Sequence, residues 1–318
     1  MRAIVVEAGK VEVRDVPKPA PGAGEVLIKV AWAGVCATDL EIVKGYAGYS
    51  GILGHEFVGT VVQGPANLMN QRVVGEINCV CGKCDLCASG LSTHCRKRTV
   101  VGIVGRPGVF AEFVALPERN CHVVPPSVDD ETAVFVEPLA AAYQVTRQVK
   151  LEPRLSVVVL GTGRLGLLVA QVLATQKCKL TAVGRNPKTL DWLDRKGIRG
   201  ARFEDLRGFN DQDVVIDCTG SPEGLTTALR LVRPRGTILM KTTCQASAAV
   251  DLTPVVVNEI SIIGSRCGPF DVALDALARR AIDVTGMVTR KMPLSQGVAA
   301  LELAAQPDQI KVLLKAAE

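Results

Sequence analysis

At 318 residues the chain is long for one hydrophobic core, since single cores rarely grow past ~300 residues, and two domains are expected. Hydrophobic residues at 48% against 22% charged exclude disorder, and a net charge of +5 without a basic block or interleaved aromatics argues against a nucleic-acid partner. The most apolar stretch, Val157 to Ala174, is interrupted by Arg164 and three glycines, so no membrane partner is expected either.

The start, MRAIVVEAGKVEV, alternates like a strand and lacks the apolar core of a secretory signal, which leads to an expected place in the cytoplasm. Residues 1 to about 124 read as β-rich, with short runs such as Val26–Val30 and Phe57–Val62 between Pro-Gly and Gly-Pro turns. From about Leu155 the pattern changes. Strand-like runs at 156–163, 179–186, 211–220 and 236–240 alternate with helical periods at 164–176, 187–197 and 224–232. That alternation predicts an α/β unit whose parallel sheet is covered on both faces. After about Ser265 it fades, and Ser295 to Ala317 reads as a helix followed by a short apolar run.

Gly161-Thr162-Gly163-Arg164-Leu165-Gly166 follows the first of these strands and opens the first helix. In that setting GxGxxG is a dinucleotide fingerprint. The first glycine makes a tight turn, the second lets the backbone approach a pyrophosphate, and the third packs helix on strand. About 20 residues beyond the first glycine an acidic residue normally accepts the ribose hydroxyls of NAD. The chain instead reads Gly184-Arg185-Asn186. Gly184 stands where a carboxylate would repel a phosphate, and Arg185 can pair with a 2′-phosphate, so NADP is expected, with NAD as the alternative.

Five of the eleven cysteines fall within residues 79–95. Cys81, Cys84, Cys87 and Cys95 have the spacing of a tetrahedral thiolate cage, and four sulfurs leave no open position, so this is a structural zinc site. Cys79 and His94 lie beside it, but the ion is already satisfied. A second set is dispersed: Cys36 in GVCATDLEI, His55 and Glu56 in GILGHEFVG, and Glu137 in VEPLA. Mixed sulfur, nitrogen and oxygen donors suit a catalytic zinc that keeps a place for water or substrate. Spacing alone does not choose His55 over His122.

With these motifs in this order, the chain resembles the zinc-containing medium-chain alcohol dehydrogenases over nearly its whole length. The GxCxTDxE and EPLA segments are most similar to the polyol, glucose and threonine dehydrogenase branch. The resemblance implies a GroES-like β-barrel catalytic domain of residues 1–137 and 265–318, carrying a structural zinc lobe at 79–95, and a doubly wound Rossmann NAD(P)-binding domain of residues 138–264. It places the active site in the cleft between them. It implies that Cys36 and His55 bind the catalytic zinc, that Glu56 is a ligand or a neighbour exchanging with water, and that Glu137 takes the third protein position. Thr38 would lie beside the substrate oxygen and pass its proton on, while Glu41 replaces the histidine that ends this relay in liver-type enzymes. Homodimers or homotetramers would pair the last nucleotide-domain strand, near Ile260 to Ile263.

The expected function is a zinc-dependent hydride transfer between NADP(H) and an alcohol or polyol, or its aldehyde or ketone, with two zinc ions per subunit, one for each ligand set. The alternatives are an NADPH-binding sensor without turnover, a zinc-independent quinone-type reductase and a zinc-ribbon interaction module. A sensor has no reason to keep the dispersed ligands together, the quinone-type enzymes lack both metal sets, and the weak charge disfavours an interaction module. Tyr46, Tyr49 and Phe270 are pocket candidates by their nearness to ligand segments.

Overall fold

Strands with one exposed face alternate in burial, and those covered on both faces do not. The computed structural model describes residues 1–316, so the ends of the expected last segment and catalytic domain, at 317 and 318, lie outside the described residues. In Phe113–Pro117 only Val114 and Leu116 are buried, whereas Glu56–Gly59 is buried without a break. Packing divides the chain into one unit of residues 1–137 and 270–318 and another of residues 138–269.

In the first unit a seven-stranded sheet runs in the order Cys121–Val123, Arg72–Gly75, Glu56–Gln63, Glu25–Gly34, Lys311–Lys315, Val288–Pro293, with Phe113–Pro117 also paired to Glu25–Gly34. The long strand Glu25–Gly34 carries register shifts at Leu27/Ile28 and Val30/Trp32 against its partner, and such bulges bend a strand. At its far end Gly34 stands opposite both Glu56 and Leu313. This register brings the Cys36 turn, the His55–Glu56 pair and the C-terminal strand to one end of the sheet. Val288–Pro293 and Lys311–Lys315 pair in parallel across the helix Gly297–Ala304. The sequence gives no sign of the first of these strands, because its Arg290 and Lys291 are exposed.

In the second unit six parallel strands lie in the order Gly200–Arg202, Lys179–Gly184, Ser156–Leu160, Gln212–Asp217, Val232–Met240, Ser261–Gly264. Counted along the unit this is third, second, first, fourth, fifth, sixth, the doubly wound dinucleotide-binding order. Val157 to Leu160 are fully buried, which is why the strand reads as an unbroken apolar run. The segment from Ser265 to Pro269, expected with the barrel, packs in this unit. The buried Lys241 Nζ donates to Ala141 O at 2.8 Å, Ser265 Oγ at 2.9 Å and Arg266 O at 3.2 Å. Among the described residues no helix is long and apolar enough to cross a membrane.

Candidate active site

Cys36 ends the run from Glu25–Gly34 and, with extended backbone at φ −98°, caps the helix Ala37–Val43. Asp39 in the first turn accepts the Cys36 N–H at 2.8 Å, and its other oxygen accepts the Gly54 N–H at 3.2 Å. One fully buried carboxylate therefore ties both ligand-bearing turns together. His55 Nδ1 lies 3.3 Å from Asp39 Oδ1, out of line for a hydrogen bond. Burial disfavours the imidazolium, but the Asp39 carboxylate and the Cys36 sulfur raise the His55 pKa well above its ordinary value. A site that grips a proton between carboxylate and thiolate is one for which a divalent cation competes. With Nδ1 turned towards the Asp39 carboxylate, Nε2 is the nitrogen left for a metal, the side that outer carboxylates leave free in metal-bound histidines.

Glu56 is fully buried, with one oxygen, Oε2, on the Lys311 ammonium and the other, Oε1, without a partner. Gly34 makes room for it, since a Cβ there would lie 2.6 Å from Glu56 Oε2 and 2.7 Å from Val134 Cγ1. Ligand atoms of Cys36, His55 and Glu56 all lie within 4.8 Å of one another. Thiolate, imidazole and an orphaned carboxylate oxygen fit zinc. Glu137, in the first turn of the helix Val136–Gln148, is outside that group.

Thr38 Oγ1 is 3.8 Å from Cys36 Sγ, and Glu41 is ion-paired to Lys44 at 2.8 Å. Of the two histidines, His55 stands beside Cys36, while His122 pairs with Glu76 at 3.0 Å and lies against Phe270, ring centres 5.3 Å apart. Phe270 is thus a core residue, 3% exposed. Tyr46 is half-buried, and the Tyr49 hydroxyl is held within 2.9 Å of Ile52 O and 3.0 Å of Arg106 O. Sequence reasoning missed Asp39 and Lys311 as members of this site.

In the lobe, Cys84–Cys87, Cys84–Cys95 and Cys81–Cys95 sulfurs are 3.5, 3.8 and 3.5 Å apart. Four zinc–sulfur bonds of ~2.3 Å give tetrahedron edges of ~3.8 Å, so the cage is already close to the right size. The N–H groups of Arg96 and Cys87 push the Cys84 thiol down to about 6, while burial and the neighbouring sulfurs push Cys87 up to about 12. Without an ion, one thiolate forbids the next; a divalent cation removes that conflict. Cys79 and His94 stand outside this group of four.

In the second unit Gly161 (φ +95°) turns the chain so tightly that a Cβ would lie 2.6 Å from Cys218 O, and a Cβ on Gly166 would collide with Gly161 O. Gly163 caps the helix Arg164–Ala174, with Arg164 and Leu165 in its first turn. Gly184 serves packing: a Cβ there would collide with Thr162 Oγ1, whose hydroxyl shares a 2.7 Å hydrogen bond with Thr189. No carboxylate could stand at 184 without displacing Thr162. The side chain presented at this turn is the exposed Arg185, its guanidinium 4.5 Å over the Phe203 ring. Asn186 caps the helix Pro187–Arg195 by accepting the Lys188 N–H at 3.0 Å.

Comparison with known proteins matches residues 22–126 to the alcohol dehydrogenase GroES-like domain and residues 130–316 to the glucose dehydrogenase C-terminus. D-arabitol-phosphate dehydrogenase of Enterococcus avium is 30% identical over 95% of this chain and 92% of its own. Among solved structures, alcohol dehydrogenase TADH from Thermus sp. ATN1 superposes with a TM-score of 0.91 at 27% identity, covering 99% of both chains. A zinc-binding dehydrogenase from Sinorhizobium meliloti bound to NADP gives 0.89 at 26% identity, covering 99% of this chain and 98% of that one.

Proposed function

Since the chain belongs to the zinc-containing medium-chain alcohol dehydrogenases and is a zinc-type alcohol or polyol oxidoreductase, we propose that it oxidises a polyol-like alcohol, or reduces the matching carbonyl, with NADP(H) preferred over NAD(H). The observation that carries this reading is the cluster of half-buried Cys36 with buried His55 and Glu56, their ligand atoms within 4.8 Å. We assign Cys36, His55 and Glu56 to a catalytic zinc by their clustering, with Glu137 as the further ligand that the family resemblance implies, and Cys81, Cys84, Cys87 and Cys95 to a structural one, two ions per subunit for the two ligand sets. When bound, the zinc supplies Lewis-acid polarisation of the substrate oxygen, and the nicotinamide supplies the hydride acceptor or donor.

The chain's own groups do the rest. Asp39 orients His55 and fixes the Cys36 turn, so the donors need no rearrangement. Thr38, a hydroxyl that both donates and accepts, would accept a hydrogen bond from the substrate hydroxyl and hand its own proton on to solvent water. Glu41, held by Lys44, does not extend that relay. At the coenzyme turn nothing acidic stands at 184–186 to repel a 2′-phosphate, and Arg185 donates to it.

The edge strand Ser261–Gly264, with Ile262 and the nearby Leu252, Val256 and Val257 exposed, is the face we give to a second copy, making a homodimer the smallest assembly. Val256→Asp should then lower the mass seen by light scattering to that of a monomer, and an unchanged dimer mass rejects this face. The thiolate cage needs reduced sulfurs, which supports a cytoplasmic location.

The test is a panel of alcohols, polyols and aldehydes with NADP(H) and NAD(H), followed at the nicotinamide absorbance. A charge-assisted hydrogen bond of ~1.5 kcal/mol implies a kcat/KM about tenfold higher with NADP(H), lost in Arg185→Asp. Equal efficiency with both coenzymes rejects the NADP assignment, and near-native turnover in Cys36→Ala rejects zinc catalysis.

A further inference from the structure

Gly184 ends the strand Lys179–Gly184, and its backbone lies outside the left-handed region, so the chain there does not itself call for glycine. What calls for it is Thr162 in the glycine loop. A Cβ at 184 would collide with Thr162 Oγ1 and lie 2.8 Å from both Cβ and Cγ2 of the same threonine. Thr162 is not free to swing aside. It is 5% exposed, and its Oγ1 lies 2.7 Å from Thr189 Oγ1, also buried. Thr189 gives its single hydroxyl proton to Asn186 O at 2.8 Å, so Thr162 is the donor of the pair. Turning the Thr162 hydroxyl away would leave a buried donor and a buried acceptor unmatched, which costs more than a hydrogen bond contributes. The chain of bonds from Thr162 through Thr189 to Asn186 ties the glycine loop to the turn at 184–186, and it holds the threonine against Gly184.

We propose that Thr162 is a specificity-determining residue: it keeps position 184 closed to every side chain and so denies NAD the carboxylate that would accept its ribose hydroxyls. This rests on reading residues 161–186 as the coenzyme turn, with NADP preferred. An acid at the end of the second strand of a doubly wound sheet would hold the ribose of NAD and repel the 2′-phosphate of NADP. Discrimination needs an attraction for one ligand and an obstacle to the other. Arg185 is the attraction, on the surface of the turn; Thr162 is the obstacle, buried beneath it. Coenzyme choice is therefore divided between two loops. An acid placed at 184 alone does not reverse it, because residue 162 must give way first.

Tm and kinetics of the full-length enzyme, with residues 162 and 184 changed singly and together, test this. Gly184→Ala should lower Tm by about 5 °C, the size expected of one methyl forced into a packed site. The same change made in Thr162→Gly should lower it by no more than about 1 °C, because the obstacle is gone. Gly184→Asp alone should lose efficiency with NADP(H) and gain none with NAD(H). Thr162→Gly/Gly184→Asp should raise kcat/KM with NAD(H) about tenfold over Thr162→Gly, the return of one charge-assisted hydrogen bond. Thr162→Gly/Gly184→Ala fills the same space without charge and should show no such gain, which separates the acceptor from mere packing. No NAD(H) gain in Thr162→Gly/Gly184→Asp, an equal gain in Gly184→Asp alone, or the same Tm loss from Gly184→Ala in both backgrounds would each overturn the proposal. The alanine pair and the Thr162→Gly/Gly184→Asp variant decide it even where Gly184→Asp does not fold. A wild type equally efficient with both coenzymes would reject the NADP assignment alone, because the NAD(H) gain over Thr162→Gly is measured without reference to NADP(H).

Discussion

The two ligand clusters of this chain are built on opposite plans. The lobe draws its four sulfurs from the stretch between Cys81 and Cys95, on short turns where most of the residues around the thiols are exposed. The other cluster takes Cys36 from a helix cap, His55 and Glu56 from the start of a strand and the counter-charge Lys311 from near the chain end, all but Cys36 buried. Chain connectivity alone keeps the sulfurs of the lobe close, and an ion must settle their mutual repulsion. Sheet register assembles the buried cluster, and Asp39 and Lys311 settle its charges before any ion arrives. The lobe should depend on metal for its shape, and the buried cluster should depend on it for chemistry.

The largest effect that would break this contrast lies at Cys36. Losing Lewis-acid stabilisation of several kcal/mol means a fall in kcat/KM of about a thousandfold for Cys36→Ala or His55→Ala. Thermal stability and NADPH binding should change little, because the glycine loop belongs to the other unit. NADPH affinity measured by fluorescence should stay within about twofold of wild type, well under the ~1.4 kcal/mol of a tenfold change. A parallel collapse of coenzyme binding would show that the cluster supports the fold rather than the reaction.

Next in size is Asp39→Asn. An amide keeps the shape but removes the charge that orients His55 and raises its basicity, so metal affinity or activity should drop about 10–100-fold. Metal content after dialysis against a weak chelator checks this. Equal retention by the variant and wild type would mean that Asp39 only caps its helix.

Much of this was legible in the sequence, for reasons that differ from residue to residue. The cysteine lobe and the glycine loop were, because their function is written in local spacing. Asp39 had a local signal that went unused: an acid three residues after Cys36 at a helix start is the capping-box spacing. Lys311 had none. In KVLLK it looks like the charged end of an exposed strand, and only pairing with Glu25–Gly34 buries it against Glu56. Gly184 has two readings. Its lack of a carboxylate bears on coenzyme choice, and its contact with Thr162 independently demands glycine, leaving Arg185 as the side chain presented at that turn. Residues 265 to 269 went with the wrong neighbours because a buried lysine, Lys241, anchors them in the second unit.

A smaller effect, on stability rather than chemistry, is expected in the lobe. Cys95→Ser removes its one buried sulfur and should lower Tm by about 5 °C or more, with the loss of one metal ion per chain and little change in kcat. Acid should do the same. The Cys84 thiol, pushed down to about 6, is a waiting thiolate at neutral pH; its stabilising contribution is complete above the ordinary thiol value and is lost as the pH falls through about 6. Metal release followed by a colorimetric indicator should rise over that interval. Release that is flat from pH 7 to 5 would argue that the sulfurs are not the ligands.

The smallest expected effect is the sharpest test of what holds the lobe. Asp85 and Arg96 form a 2.8 Å ion pair across it, but their side chains are 61% and 66% exposed, and such pairs contribute little in water. Asp85→Asn should therefore leave metal content unchanged and Tm within about 1 °C of wild type. A fall as large as that of Cys95→Ser would mean that the ion pair, and not the metal, shapes the loop. The contrast with the buried cluster would then fail at its exposed end, because both clusters would be arranged by protein charges and neither by the ion.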